Sequence, residues 1–388
     1  MDIRFFNTFN HAAAILDHLL PEINSRGVKS VAYISQSKYR KTNRGDDHIE
    51  FFEKASLTGI SKSRKRLNQV VYAISASLKI LFSPAQFHIF FTQPPLYPII
   101  GAWLSRVRGV PYAIHIMDHY PGLVGALGYL DMDGWLYKLL DRKMDKALNK
   151  AEFVVVLGSC MEKMVVDKGV DPQKVKIVIN APKVKDEPLT VDYFVKIGLS
   201  DKFTIIYAGN MGVAHEFRSI LAVSARLEKT HPDIHFIMLG KGHRKKEVQA
   251  FYNEHKPKNM TMVGYLENEE FTAIMKQTDV HLITLRDNFN GLMVPSKLYS
   301  SLALGKPVIF EGPQQNEVTD VLTTYDAGVR VGHLDDVALE QSILEYYADA
   351  NKVKVQGLNA KRYFEERGKA SAFIDDYAAY IIRESPLS

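Results

Sequence analysis

Cysteine is almost absent from this chain: Cys160 is the only one in 388 residues. A lone thiol builds neither an internal disulfide framework nor a Cys-rich zinc cluster, and its isolation suits a reducing, cytoplasmic setting. Long apolar runs are missing too. The two longest, 70–82 and 87–104, are broken by Ser75, Ser77 and Lys79 and by Gln93-Pro94-Pro95. Neither supplies the roughly 20 apolar residues that cross a bilayer. Asp2 and Arg4 open the chain ahead of a strand pattern, so no secretory leader is read there. Charge excess is small as well, +5 overall, and no nucleic-acid module or basic-aromatic interleaving points to nucleic acid as a partner.

The residues present fit a globular protein of two domains, with 46% hydrophobic and 24% charged residues and length enough for two cores. The positive charge is uneven: Lys38, Arg40, Lys41, Arg44, Lys62, Arg64, Lys65 and Arg66 cluster ahead of an apolar helix pattern ending at Phe82. The segment reads either as a core-facing helix with a solvated basic end or as a surface, 38–82, for anionic phospholipid or a lipid-diphosphate acceptor.

Short apolar runs alternate with amphipathic segments throughout. Strands are predicted over 3–6, 30–34, 87–92, 112–117, 153–157 and 176–179, with helices over 12–26, 62–82, 97–108 and 134–148. Ser159-Cys160-Met161-Glu162 reads as a capping box opening another helix. A polar, proline-flanked stretch over 181–200 interrupts the rhythm. Strands then resume over 203–207, 234–239, 260–263, 280–285, 308–310 and 327–331, with helices including 217–229 and 296–304. Alternation of this kind implies parallel sheets and an α/β fold of two Rossmann-like domains facing a central cleft. The expected division is 1–182, a linker over 183–200, a second domain over 201–369, and a C-terminal helix over 370–388 able to pack back on the first domain.

Ligands of such sheets sit beyond the carboxyl ends of strands. In Tyr207-Ala208-Gly209-Asn210-Met211-Gly212, two glycines three apart permit a tight turn whose amides approach a phosphate. The spacing alone is a weak signal, and no third glycine completes a dinucleotide fingerprint. Near Gly291-Leu292-Met293-Val294-Pro295-Ser296-Lys297, Pro295 suits a helix's first turn and Gly305 its C-terminal cap. Lys297 in that turn opposes the helix dipole, which a bound diphosphate would offset; otherwise it is a surface lysine. Asp118 and His119 come after a strand and suit an acceptor hydroxyl, unless Asp118 merely caps the next segment. His115 reads as a core histidine. Gln93, before Pro94-Pro95, is ligand contact or punctuation.

Val294-Pro295-Ser296-Lys297-Leu298-Tyr299, ending in Ala303-Leu304-Gly305-Lys306-Pro307-Val308-Ile309, resembles the donor-site helix of family-4 glycosyltransferases. The likeness is greatest to the branch building bacterial surface polysaccharides, with its fucosamine- and fucosyl-transferases. Thr92-Gln93-Pro94-Pro95, Met117-Asp118-His119-Tyr120-Pro121, Gly169-Val170, Lys174-Val175, the Gly209–Gly212 turn and Val263-Gly264-Tyr265-Leu266 support it in order and spacing. The resemblance implies the GT-B architecture and a retaining transfer from a UDP- or GDP-sugar to a glycan or lipid-linked acceptor at the cytoplasmic face of the membrane. It also implies roles. Gly291, Leu292 and Met293 give amides to the diphosphate; Lys297 neutralises it; Tyr265 and Leu266 bracket the base. Asn210 and Gly212, with Gly209, line the cleft, and Asp118 faces sugar and acceptor.

Two departures stand out. The family's glutamate pair, eight positions apart, falls on Leu292 and Ser300, leaving Ser300 a weaker ribose contact. Asn7-Thr8-Phe9-Asn10-His11 replaces a glycine pair after the first strand. No helix carries a two-His metal motif and no Asp-x-Asp element stands in a convincing loop, so neither metal nor other cofactor is expected. An epimerase of the same architecture and a non-catalytic nucleotide-sugar-binding subunit are the competing readings.

Overall fold

The computed structural model describes residues 2–7, 10–34, 49–51, 62–179, 188–189, 191–264, 266–368 and 370–384. The chain divides into two compact units: Met1–Ala181 with Gly291–Met293 and Ala370–Ser388, and Pro182–Asn290 with Val294–Lys369.

The first unit contains β1 (Asp2–Asn7), α1 (Asn10–Ser25), β2 (Lys29–Ile34), β3 (Ile49–Phe51), α2 (Lys62–Phe82), β4 (Phe87–Phe91) and α3 (Tyr97–Val107). It continues through β5 (Tyr112–His115), α4 (Gly122–Ala126), α5 (Trp135–Asn149), β6 (Val154–Val156), α6 (Ser159–Asp167) and β7 (Val175–Ile177). The second unit begins with α7 (Tyr193–Ile197), β8 (Phe203–Asn210), α8 (Arg218–Thr230), β9 (Ile234–Lys241), α9 (Lys245–His255) and β10 (Met260–Val263). Then come α10 (Asn268–Gln277), β11 (Val280–Thr284), α11 (Lys297–Ala303), β12 (Val308–Glu311), α12 (Glu317–Tyr325), β13 (Gly328–Val331), α13 (Asp336–Ala348) and α14 (Ala350–Tyr363). The last helix, α15 (Ala370–Glu384), returns to the first unit.

Both sheets are parallel, ordered β3-β2-β1-β4-β5-β6-β7 and β10-β9-β8-β11-β12-β13. Each reverses its winding once, between β1 and β4 and between β8 and β11. There the loops after neighbouring strands diverge and leave a crevice. Every strand expected from the sequence is present, and β3 is additional. Three residues beside the polar Asp46-Asp47-His48 gave no alternation to read.

Burial explains why the strands were legible. In β8, Ile205 and Tyr207 enter one core cluster while Ile206 and Ala208 enter the other; Phe236 and Met238 against Ile237 and Leu239 repeat this in β9. A strand covered on both faces reads as a continuous apolar run. In the first sheet aromatics do the same work: Phe6 stacks on Phe90 at 5.4 Å and Phe87 on Phe153 at 5.8 Å between centroids. Each fully buried ring contributes about 1.5–3 kcal/mol. α15 closes this layer. The fully buried Tyr377 meets His115 Nδ1 through its hydroxyl at 3.1 Å, and Tyr380 sets its edge on Phe153. Burial drops the His115 pKa to about 3, so this histidine is a neutral core residue.

Three local expectations need correction. The latter part of the expected linker is built into the second unit. Asp192 caps α7 by accepting from the Val195 amide at 3.1 Å, and Tyr193, Phe194 and Leu199 are buried in a core cluster. Ser159 is the first helical residue of α6 rather than its cap, a place held by Gly158. Pro295 lies before the Ser296 N-cap of α11, although its carbonyl accepts from the Leu298 amide at 3.2 Å and so begins the turn. Among the described residues, no helix is long and apolar enough to cross a membrane.

Candidate functional site

In the second unit β8 ends at Gly209-Asn210, and the loop 211–217 leaves it at the point where the sheet's winding reverses. Its shape depends on the next strand: a Cβ on Gly240, at φ +151, would lie 1.9 Å from the Gly209 carbonyl oxygen. Only glycine permits that approach. The Tyr207 hydroxyl donates to the Asn210 carbonyl at 2.8 Å, the Met211 amide to Lys241 O at 2.8 Å, and the Arg244 amide to Met211 O at 2.9 Å. The Arg244 guanidinium then reaches the His215 carbonyl and Glu216 Oε1, the latter at 2.9 Å. Burial opposes ionisation of Glu216, but Arg244 and the amides of Arg218 and Phe217 outweigh it and bring its pKa to about 2.

Lys297, the first residue of α11, lies over this turn. Its Cε is 2.8 Å from where a Gly209 Cβ would stand, its Nζ is 4.8 Å from the Tyr207 ring centroid, and Nζ meets His215 Nε2 at 3.1 Å. His215 Nδ1 pairs with the Thr284 carbonyl at 2.6 Å, which can only accept. Nδ1 therefore carries the proton and Nε2 accepts from the ammonium. Burial and then Lys297 itself hold the His215 pKa well below the usual value. The imidazole thus orients the ammonium without neutralising it. Ser300, three residues further along α11, is buried and shares the Lys297 face of the helix.

In the first unit the Thr92 hydroxyl accepts from the Met117 amide at 3.0 Å and the Asp118 amide at 3.3 Å, joining the loops after β4 and β5. Asp118 does not cap α4, whose N-cap is Pro121. Burial raises the Asp118 pKa to about 6, against the neighbouring Gln93 amide. His119 is buried; burial and then the Lys168 ammonium lower its pKa to about 4, with Asp141 opposing. A carboxylate titrating near 6 is better matched to proton exchange at neutral pH than an imidazole titrating near 4, so Asp118 has the stronger chemical case. His119, Asp141 and Asp145 offer ligand atoms within 4.8 Å of one another, but Lys168 already bridges the two carboxylates at 2.8 and 3.0 Å.

The sequence-derived site residues divide accordingly. Gly209, Asn210, Gly212, Lys297 and Ser300 lie in the second unit. Leu266 is there too, half-buried against a core cluster that includes Ile206 and Val263. Gly291, Leu292 and Met293, expected with the donor domain, group with the first unit. The Leu292 carbonyl accepts from the His119 amide at 2.8 Å, and a Cβ on Gly291 would meet Cys160 O at 3.2 Å. Asp118 and His119 also lie in the first unit. Tyr265, and Thr8 and Phe9 of the unusual first loop, fall outside the described residues. Sequence reasoning passed over His215 and Arg244. Their signal was faint: each stands just past a glycine turn, His215 after Gly212 and Arg244 after Gly242.

Two parallel-sheet units with this winding define a two-domain Rossmann-like, GT-B protein. The family comparisons are specific for each half: residues 18–181 match the glycosyl transferase 4-like domain and residues 202–349 match glycosyl transferases group 1. Together these matches take in most of the chain, which belongs to the glycosyltransferases of this fold. It is 26% identical over 258 residues to the "Probable glycosyltransferase WbjE" of Pseudomonas aeruginosa, covering 66% of this chain and 64% of that protein. WcaI of Escherichia coli (strain K12), named as a putative glycosyl transferase of colanic acid biosynthesis, is 22% identical over 57% of this chain and 56% of its own length. Both matches therefore span under two thirds of the curated relatives. Among solved structures, Anabaena Alr3699/HepE in complex with UDP superposes with a TM-score of 0.73 at 13% identity, covering 99% of this chain and 100% of that one. A UDP-N-acetylglucosamine 2-epimerase shares the fold at TM-score 0.61 and 9% identity, covering 99% and 97%.

Proposed function

We propose that this protein transfers a sugar from a nucleoside diphosphate, UDP or GDP, to a glycan or lipid-linked acceptor during surface polysaccharide assembly, with retention at the anomeric carbon. The observation that carries the reading is the Lys297 ammonium, held by a neutral His215 over the Gly209 turn at the winding reversal of the second sheet. In this reading Lys297 stabilises charge growing on the departing diphosphate, with Gly209, Asn210 and Gly212 lining the cleft beneath it. The bond from C1 to the phosphate oxygen breaks as the acceptor oxygen bonds C1, and the acceptor proton passes to the leaving diphosphate on the same face. Asp118 orients the acceptor hydroxyl. Leu266 and Tyr265 bracket the base, Ser300 contacts the ribose, and Gly291–Met293 cover the phosphates. No step in this scheme uses a metal.

The colanic acid relative and the UDP complex of the structural neighbour support the setting and the donor class. The test incubates the purified chain with UDP- and GDP-sugars, with and without lipid-linked acceptors, following free nucleoside diphosphate and the anomeric configuration of the product. Acceptor-dependent release with retention supports the proposal. A stereochemically altered sugar formed without acceptor would replace it with the epimerase reading that the shared fold allows.

A further inference from the structure

Of the basic stretch 38–66, residues 38–48 and 52–61 lie outside the described residues. A second concentration of lysine is described throughout, in the second unit, at the amino ends of β11 and β12. There a cavity of about 270 Å³ opens between the Gly305-Lys306 turn after α11 and the α14 face carrying Lys354, Gly357 and Lys361, with Asp279 also in its wall. Two glycines build it. A Cβ on Gly357 would lie 2.5 Å from the Gly305 carbonyl oxygen, so α14 packs backbone against backbone on the turn. Gly305 itself has φ +65, and a Cβ there would stand 3.7 Å from Lys361 Cβ. Lys354 and Lys361 are about two helical turns apart and so share the face on which Gly357 makes that contact. Lys297 opens α11, which places this cavity at the other end of that helix, on the opposite edge of the sheet from the Gly209 turn.

The charge in this wall is unbalanced. Three ammonium groups share it with one carboxylate, and Asp279 Oδ2 already accepts from the Thr204 amide at 2.7 Å and the Thr204 hydroxyl at 2.9 Å. Lys306 is half-buried, and among the described residues its ammonium has no hydrogen-bond or ion-pair partner. Burial pushes its pKa below the usual lysine value; Asp279 opposes this and Lys276 of α10 adds to it. Capping of α11 does not account for the lysines. The Ser300, Ser301 and Leu302 carbonyls accept from the amides of Leu304, Lys306 and Gly305 at 3.3, 3.0 and 3.0 Å. A half-buried charge among like charges is costly unless something pairs with it.

We infer that this cavity binds a polyvalent oxyanion of the phosphate class through Lys306, Lys354 and Lys361, at a site separate from the donor site. This goes beyond the sugar-transfer reading and does not depend on it. Flexible ammonium groups converging on one point suit a phosphoryl group, which accepts from several directions. The volume lies just under the roughly 300 Å³ at which pockets for drug-sized ligands begin, enough for phosphate, diphosphate or the phosphorylated end of a larger molecule. The test uses the intact Lys297→Met chain, whose donor site has lost its cation. It is titrated with inorganic phosphate, pyrophosphate and glycerol 3-phosphate by calorimetry and thermal shift, against sodium chloride of equal ionic strength. The expected result is saturable binding and a raised melting temperature that chloride does not reproduce. Tighter binding of an inorganic anion supports the inference with a free ligand, and tighter binding of glycerol 3-phosphate supports it with an esterified one. Adding Lys306→Met should weaken binding about tenfold or more, while the ligand-free melting temperature holds or rises because a half-buried charge is gone. Lys354→Gln, at an exposed position, should weaken binding with the fold intact and decides the matter if the Lys306 variant does not fold. No saturable binding of any of the three anions would overturn the inference. So would binding left unchanged by both Lys306→Met and Lys354→Gln, since the anion would then sit elsewhere.

Discussion

Replacing Lys297 with methionine keeps most of the side chain's packing over Gly209 and removes its charge. An ammonium about 4 Å from a phosphate oxygen is worth roughly 4 kcal/mol at an effective dielectric of 20. Lys297 is half-buried, so solvent screening reduces this to about 2–3 kcal/mol, roughly 30- to 150-fold. The fold should lose little. His215 Nε2 forfeits its 3.1 Å donor, a cost of about 1 kcal/mol. The assay is calorimetric affinity for the cognate nucleoside diphosphate together with kcat and kcat/KM for transfer. Affinity should fall by about the stated factor, and kcat should fall further, because charge on the leaving group is greater in the transition state than in the bound donor. A folded Lys297→Met protein with wild-type affinity and turnover would refute the reasoning, since no other premise sets the magnitude.

Three further outcomes rest on the geometry. Gly240→Ala places a Cβ 1.9 Å from the Gly209 carbonyl oxygen and should cost more than about 3 kcal/mol, read as a fall in denaturant midpoint or loss of soluble protein. His215→Phe leaves the Lys297 charge but removes the acceptor that aims it, so kcat should fall less than in Lys297→Met while thermal stability remains measurable. Asp118 has its folded pKa raised from 3.8 to about 6, so between those values the native state binds more protons than the unfolded chain. Stability therefore falls as pH rises through that window. Asp118→Asn should be more stable than wild type at pH 7.5, by on the order of 2 kcal/mol, with no advantage at pH 3.5, while losing transfer activity.

The sheets were legible because parallel strands covered on both faces read as apolar runs. Ile205–Ala208 and Ile234–Leu239 show no alternation, and both of their faces are buried. The positions of Gly209 and Lys297 could be singled out, the one because two glycines three apart end an apolar run and the other because a base stands at a helix start. Their meeting could not be read, since Lys297 and His215 are 82 residues apart and a loop histidine carries no periodic signal. The same limit hid Arg244 behind Gly240. α7 was hidden by its setting: Asp192 and the prolines around 182–188 look like a tether, and only tertiary burial of Tyr193 and Phe194 makes the segment part of a domain. Gly291–Met293 were assigned by continuity with α11, whereas their contacts to Cys160, Met164 and His119 are what group them with the first unit.

The central claim is that the second unit holds a nucleoside diphosphate through the Gly209 turn and Lys297. The most direct measurement is the thermal shift of the intact protein against UDP, GDP, ADP, CDP and dTDP, each with and without magnesium. At about 100 times its dissociation constant a bound ligand stabilises the fold by roughly 2.7 kcal/mol. The account predicts a clear rise in melting temperature with UDP or GDP, present without magnesium and much reduced in Lys297→Met. No shift with any of the five diphosphates under either condition would contradict it.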